Sequence, residues 1–523
     1  MQNIIHDSSY QSGLVPEELP YDFQQQQSEK NEPPPAQMSE ATKFGLGVLI
    51  VALIAGATGD GLLRVSLWGA NFGVWITLAV VAMIGLARMK SPEILGKAEW
   101  LAAPALFFAW SWAWRDSPTL NALSLVALVL IAAMVATKTR QGKLIEASVT
   151  GILQQLILGM VTILFGPLLL IFGEIKWSVL PRDGWSKNAL AFARGLAIAA
   201  PLLLIFGGLF VAADAVFENI VNRTFNFDVL VLFSHFALGG LFSWLTAGFL
   251  RFIFMTSETA ADVLSDFPIK LGVTEVATVL SLLDGLFLSF VLVQFRYFFG
   301  GKANIPTGRG IEYAEYARHG FFELVWVSVL VLPLLLGIHW MLNKENPKHE
   351  KIFRVLAGIK LSLLFVIMLS AMQRMRLYQL ECGLTELRVY TMAFMIWLAI
   401  VFAWFALTVL RGKRERFAFG AMMTGLVMIA ALHFINPDHL IASVNLQRAR
   451  EGKNFDPNYN ASLSADAAPI LYAGKGTLLP DARVTLETQL GYHWGNYSFG
   501  DWRSWNLSRH NLQQQMNATV ARP

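Results

Sequence analysis

The chain has 523 residues, of which 55% are hydrophobic and only 15% charged, and a net charge of +4. Soluble domains carry about 25% charged residues, so the deficit excludes an ordinary water-soluble fold, and so small a net charge gives no argument for nucleic acid as a partner. The one cysteine, Cys382, excludes an internal disulfide and a cysteine-built metal site.

Residues 1–43 are polar, with Gln24 to Gln27 and Pro33 to Pro35, and lack the apolar centre of a cleaved signal peptide. They read as a disordered cytoplasmic tail, leaving the first apolar helix, from about Phe44, as an uncleaved insertion signal. A helix needs about 20 apolar residues to cross a hydrocarbon layer about 30 Å thick. The candidate spans are 44–63, 68–88, 100–114, 120–137, 149–173, 190–213, 228–253, 275–299, 319–342, 353–373, 389–410 and 417–435. The third is short and leans on Trp110, Trp112 and Trp114, which suit a membrane–water boundary. The expected fold is an all-α polytopic transmembrane helical bundle over 44–435 with about 11–13 crossings. An extramembrane tail, 436–523, follows it.

Lys and Arg remain on the cytoplasmic side of a bilayer. Arg88, Lys90 and Lys97 follow the second span and Lys138, Arg140 and Lys143 the fourth, while the intervening loops hold Arg64 and Arg115 alone. The N-terminus is therefore expected in the cytoplasm. The bias then conflicts with the count. If 149–173 crosses, Lys176, Arg182 and Lys187, and later Arg411, Lys413, Arg414 and Arg416, fall outside. A re-entrant or interfacial 149–173, broken near Gly166-Pro167, restores the bias and places the tail in the periplasm; a miscounted crossing is the other way out. Loops two crossings apart share a face, so 300–318, 374–388 and the tail from Asn436 are expected on one side. The tail starts with a short helix through Asn445 and Arg448. Tyr492, Trp494, Tyr497, Trp502 and Trp505 then stand among polar residues, as in a small, loosely folded appendage or one lying on the bilayer surface.

Two polar stretches are candidates for function. One runs from Gln294 through Glu312, Glu315, Arg318 and Glu323, with Glu315 and His319 on one helix face. It reads either as a head-group or ion site or as interfacial anchoring, with Arg reaching outward to water. The other holds Arg376, Tyr378, Thr385 and Arg388 around a turn at Gly383, with Thr385 placed to cap the next helix. Its arginines suit a phosphate or carboxylate, or equally the glutamates of the first stretch. Asp284, Gln294 and Lys360 lie within apolar spans, where charge is costly and must face protein or water. Asp284 with Lys360 as counter-ion reads as a proton or ion relay, or as one buried carboxyl that fixes helix packing. His235, His339 and His433 are scattered, so no metal or other cofactor is expected, and no residue is singled out as catalytic.

At several of these points the chain resembles a family of bacterial multi-pass membrane proteins, domain of unknown function 4153/4173. The residues that carry the resemblance are Ala213-Asp214-Ala-Val-Phe217, Gln294 to Gly301, Tyr316 to Leu324, and Arg376-Leu-Tyr378 with Gly383-Leu384-Thr385 and Leu387-Arg388-Val-Tyr390. Asn445, Arg448-Ala449 and Ser462 to Pro469 continue it, so it covers about 190–470. Cys382 stands where a small or aromatic residue is expected. The resemblance implies a bacterial source and a membrane location, and no reaction. The expectation is an integral inner-membrane protein that is a non-enzymatic sensor or scaffold, with lipid bilayer and an anionic lipid or a membrane protein as partners. The alternatives are a transporter or exporter of a small or lipid-linked anion, and an intramembrane enzyme acting on a lipid head group with Glu315 or Glu323 as base.

Overall fold

The computed structural model describes residues 38–177 (except 66, 91–95 and 143), scattered residues of 192–217, and 229–256, 270–299, 321–495 (except 343–345) and 500–520. Among them the chain is helical, with no strand and one isolated bridge between Leu271 and Leu342. The bundle comprises α1 (Glu40–Leu63), α2 (Ala70–Lys90), α3 (Ala102–Trp114), α4 (Pro118–Gln141), α5 (Val149–Leu169) and α6 (Val229–Phe254). It continues with α7 (Val273–Phe299), α8 (Phe321–Met341), α9 (Pro347–Cys382), α10 (Glu386–Thr408) and α11 (Phe417–Ile435). Among the described residues, ten helices are long and apolar enough to cross a membrane. Their outward faces are apolar as well. Ile50, Leu53 and Ile54 of α1, Val81 of α2 and Leu282 and Leu286 of α7 are all exposed. In water such a surface would aggregate; hydrocarbon solvates it. The chain is an integral membrane protein.

The helices form two packed groups. α1, α2, α4 and α6 share one core around Val48, Met134 and Leu250, and α7 to α10 share another around Leu280, Phe353 and Phe402. α11 joins them, with Phe417 in the second core and Leu426 and Ile429 in the first. Where lipid gives no hydrophobic drive between helices, close backbone approach supplies the packing. Gly56 of α1 shows it: a Cβ there would lie 1.8 Å from Ser243 Oγ and 2.4 Å from the Gly239 carbonyl of α6.

The bundle has two faces. One carries the α1–α2, α3–α4 and α9–α10 turns and the end of α11. The other gathers basic groups: Lys90 bonds the Phe254 carbonyl, Arg140 lies over Phe252, and Arg251 pairs with Glu174 at 2.7 Å. α5 begins and ends on this basic face. Near its start Ile152 packs on Ala418, its middle residue Gly159 meets Phe252, and just beyond its end Ile175 lies against Gly45. Both ends of 149–173 thus lie toward one end of the bundle, the geometry a re-entrant segment would have, although the helix is also long and apolar enough to cross. A π-turn, Leu170–Glu174, closes the helix just past Pro167.

The tail, expected to be loosely folded, is packed. α12 (Pro437–Arg450), α13 (Pro457–Ala461), α14 (Ala468–Gly474), α15 (Pro480–Trp494) and α16 (Leu507–Val520) build a helical cap. It has its own core of Ile441, Leu446, Ala465, Leu471, Leu486, Leu490 and Leu512. Asn436, at φ 56°, turns the chain out of α11, and its side chain accepts from His439 N to start α12. The sequence hides this compactness because the core is assembled from leucines and alanines spread over several short helices, which give little periodic signal.

The glycine contact yields a test. Gly56→Val should destabilise the protein by about 1–3 kcal/mol or more through overpacking. Gly61→Ala, on the same helix with open space at its Cβ, should not. Thermal unfolding of the detergent-solubilised protein followed by size-exclusion chromatography distinguishes the two.

Candidate functional site

The cap sits on the turn-bearing face, and the joint is polar. α9 ends at Gly383, φ 78°, where a Cβ would lie 2.7 Å from Asn445 Oδ1. The last carbonyls of any helix lack internal partners, and here two arginines supply the donors. Arg448 of α12 bonds the Leu380 carbonyl and, at 2.7 Å, that of Glu381. Arg388 of α10 donates to Cys382 at 3.2 Å and Gly383 at 2.6 Å, with its guanidinium 4.0 Å over Tyr378. Asn445 Oδ1 accepts from Leu384 N at 2.9 Å, and its amide donates to Leu384 O and Asn460 Oδ1. Thr385 occupies the N-cap position of α10, but its side chain makes no capping bond. The Tyr459 hydroxyl of the cap accepts from Glu386 N at 2.7 Å instead.

A second joint lies at the α3–α4 turn. Asp466 is buried there. It accepts from Asp116 N at 2.7 Å and Ser508 Oγ at 2.6 Å, and Arg115 Nη1 stands 3.3 Å away. Asp116 pairs in turn with Arg509 Nε of α16 at 2.9 Å. Arg115 also donates to the His433 carbonyl, and Asn506 to those of Trp112 and Arg115. A third contact holds the α1–α2 turn: Ala70 N bonds Trp505 O, Arg503 bonds Gly61 O, and Arg509 bonds Trp68 O. The cap thus bridges three interhelical turns and both helix groups. The α9–α10 turn and the tail share a face, as loop parity required; 300–318 lies outside the described residues.

Asp438 differs from the other carboxyls. It is buried, accepts from Ser464 Oγ at 2.5 Å, and its Oδ1 has no partner among the described residues. Among those residues no cation pairs with it, and Glu386 and Asp466 are its charged neighbours. Burial pushes its pKa up to about 6. Burial does the same to Asp116, against the opposing pull of Arg509.

The candidates from sequence divide. Glu312, Glu315 and Arg318 lie outside the described residues, as does the side chain of Gln294. Glu323, in the first turn of α8, and Arg376 are both exposed. Arg388 and Tyr378 meet each other and the end of α9, so Arg388 serves a helix terminus. Asp284 and Lys360 do pair. Lys360 Nζ stands 2.7 Å from Asp284 Oδ1 and 4.5 Å from the Phe287 ring, with the lysine fully buried. The contact is poorly directed, leaving both carboxylate oxygens and the ammonium without an aligned hydrogen bond among the described residues. Of the histidines, His235 pairs with Asp60, His339 packs on Phe353, and His433 meets Ser124. Sequence reasoning misses Asp116, Asp438 and Arg509. Their one sequence signal is the Asn436-Pro437-Asp438 start of α12, and nothing local links residue 116 to 509.

A family model described as a domain of unknown function (DUF4153) matches residues 102–474. The chain belongs to that family. The match starts at the first residue of α3 and ends at the last of α14, so it begins well before the 190–470 region whose residues carry the resemblance. It takes in Asp116 and Asp466 and leaves out α1, α2, α15 and α16. No curated protein and no solved structure matches the chain significantly.

Two outcomes follow from the joint. Arg448→Ala strips two carbonyls of a charged donor and should cost about 2–4 kcal/mol. Arg376→Ala, at an exposed side chain, should stay within about 0.5 kcal/mol. Thermal midpoints and protease sensitivity of the cap measure both. The pH dependence has a definite sign. Docked Asp438 keeps its proton up to about pH 6, whereas a free aspartate loses it near 3.9. The Asp438 share of cap stability is therefore full below about pH 4, falls by on the order of 3 kcal/mol as pH rises to about 6, and is level above. Asp116 contributes in the same direction. Asp438→Asn should remove the Asp438 share, about half of the combined slope of the two aspartates, in midpoints measured from pH 4 to 8.

Proposed function

We propose that the protein is a non-enzymatic component of a bacterial inner membrane, a sensor or scaffold whose working part is the cap on the periplasmic face. The observation that carries this reading is where the motif residues go. Arg388, Asn445, Arg448 and Asp466 are all engaged in joining cap to bundle, not presented to a substrate. A polar joint that spans three turns gives a rigid platform, which suits a membrane-protein partner or anionic head groups better than it suits turnover. The orientation rests on charge. Lys90, Arg140 and Arg251 gather on the face away from the cap, the face that the positive-inside rule assigns to the cytoplasm. Placing both ends of α5 there removes the conflict in the loop charges.

The alternatives draw less support. Export through Asp284 needs a path to it, yet Asp284 and Lys360 face each other in a packed interface. Head-group chemistry at Glu323 needs Arg376 beside it, and among the described residues no contact joins the two.

Reporter fusions after Pro523 test the orientation: one active only in the periplasm should give signal, and one active only in the cytoplasm should not. The reverse result overturns the assignment. For the scaffold role, a partner co-purified from native membranes should be lost from Asp466→Ala while the bundle itself remains folded. Retention of the partner, or a chain that always purifies alone, counts against it.

A further inference from the structure

The joint accounts for one end of the molecule; the other end holds a cavity. About 700 Å³ lies open between α1, α2, α4 and α6, with the 3₁₀ turn Gly96–Leu101 at one end. Its origin is the length of α3. Thirteen residues reach about 20 Å, too short for the hydrocarbon layer, so beside the second half of α2 the space falls to a turn and a void. Small side chains, Ala79, Ala82, Ala102 and Ala132, keep it wide.

The lining decides the occupant. Among the described residues Glu99 is the one charged group that lines it, and Trp75 spends its indole N–H on the Ala55 carbonyl. Water needs several polar partners to occupy a cavity, and this one offers few. An empty apolar void destabilises a core in proportion to its volume. Exposed Ile54, Leu78 and Val81 form its rim, so it opens sideways, where lipid is the solvent. From Ile84 to Trp75 it extends about 14 Å along α2, close to the roughly 15 Å of one leaflet. At its mouth Arg88 Nη2 stands 3.7 Å from Glu99 Oε1, both side chains largely exposed. A loose exposed pair of opposite charges is what a zwitterionic head group replaces, phosphate against the guanidinium and amine against the carboxylate.

We propose that this cavity holds one acyl chain of a phosphoethanolamine-type phospholipid from the leaflet opposite the cap, with its head group between Arg88 and Glu99. The inference stands apart from the scaffold reading, since none of these residues touches the cap.

The test is lipid retention by the full-length protein, extracted in mild detergent, washed exhaustively and analysed by mass spectrometry. The wild type should keep about one amine-bearing phospholipid per chain. Ala82→Leu with Ala102→Leu should lower retention at least tenfold, and Ala122→Leu, exposed outside the cavity, should not change it. After delipidation, Glu99→Gln should reduce the preference for phosphatidylethanolamine over phosphatidylglycerol several-fold. Equal retention by wild type and the filled variant overturns the proposal. So does recovery of an isoprenoid or other apolar molecule in place of phospholipid. Should the filled variant fail to fold, a phospholipid brominated at mid-chain decides. It should quench fluorescence in the wild type by a fraction that Trp75→Phe removes, and an unquenched Trp75 refutes the site.

Discussion

A helix that stops inside a protein leaves its last carbonyls facing other groups that must satisfy them. At the end of α9 four successive carbonyls, Leu380 to Gly383, are met by Arg448 from the cap and Arg388 from the next helix. That demand shapes the rest. It fixes α12 against the turn, sets Asn445 where a side chain at Gly383 would collide with it, and draws the cap across the bundle. There Asp466 and Asp116 meet Arg115 and Arg509. Neutral donors could close one carbonyl each. Guanidinium groups close two apiece, and each such bond is worth about 1.5–3 kcal/mol, more than a typical neutral one.

The same joint carries a cost. Burying charge is expensive unless it is paired and hydrogen-bonded, and Asp466 meets that condition with donors on both oxygens. Asp438 does not. Its unmatched oxygen is tolerated because the carboxyl can stay protonated, exchanging a charge penalty for a dependence on pH. Both aspartates accept from the same Ser464 hydroxyl, yet one is matched by cations and the other is not. That difference marks the point at which the joint is weakest and most responsive.

The bundle is legible in the sequence because lipid imposes a length. Twenty apolar residues in a row are seldom needed outside hydrocarbon, and most spans recur in the helices; 353–373 lengthens to Pro347–Cys382, and 190–213 lies largely outside the described residues. The conflict in loop charges is legible too, and singles out 149–173, the helix whose two ends both lie toward the basic face. What sequence does not supply is pairing over long separations. Asp116 and Arg509 each look ordinary among their neighbours, and their ion pair exists only because α16 returns across the α3–α4 turn. Arg388 fails in another way. An arginine beside a turn suits a phosphate as well as it suits a helix terminus, and the carbonyls it meets at 2.6 and 3.2 Å are visible only in the structure.

The family boundaries divide the joint into two layers. The matched region opens with α3 and closes with α14, so it contains Arg115, Asp116, Arg388, Arg448 and Asp466 but not Arg509. The contacts inside the family unit are those that seat α12 to α14 on the bundle. Arg503 and Trp505, just before α16, and Arg509 within it reach the α1–α2 turn, which is also outside the family unit. The added helices at the two ends of the chain therefore meet each other: Trp505 and Arg503 lie on the α1–α2 turn. Arg509 ties this outer layer back to the unit through Asp116. The carboxylate of Asp116 serves both layers, taking Arg509 from one and the Ala465 backbone N–H from the other. Ser508 and Asn506 link the same two layers through Asp466 and the carbonyls of the α3–α4 turn, but Asp116 joins them by an ion pair, and its burial makes that link depend on its charge.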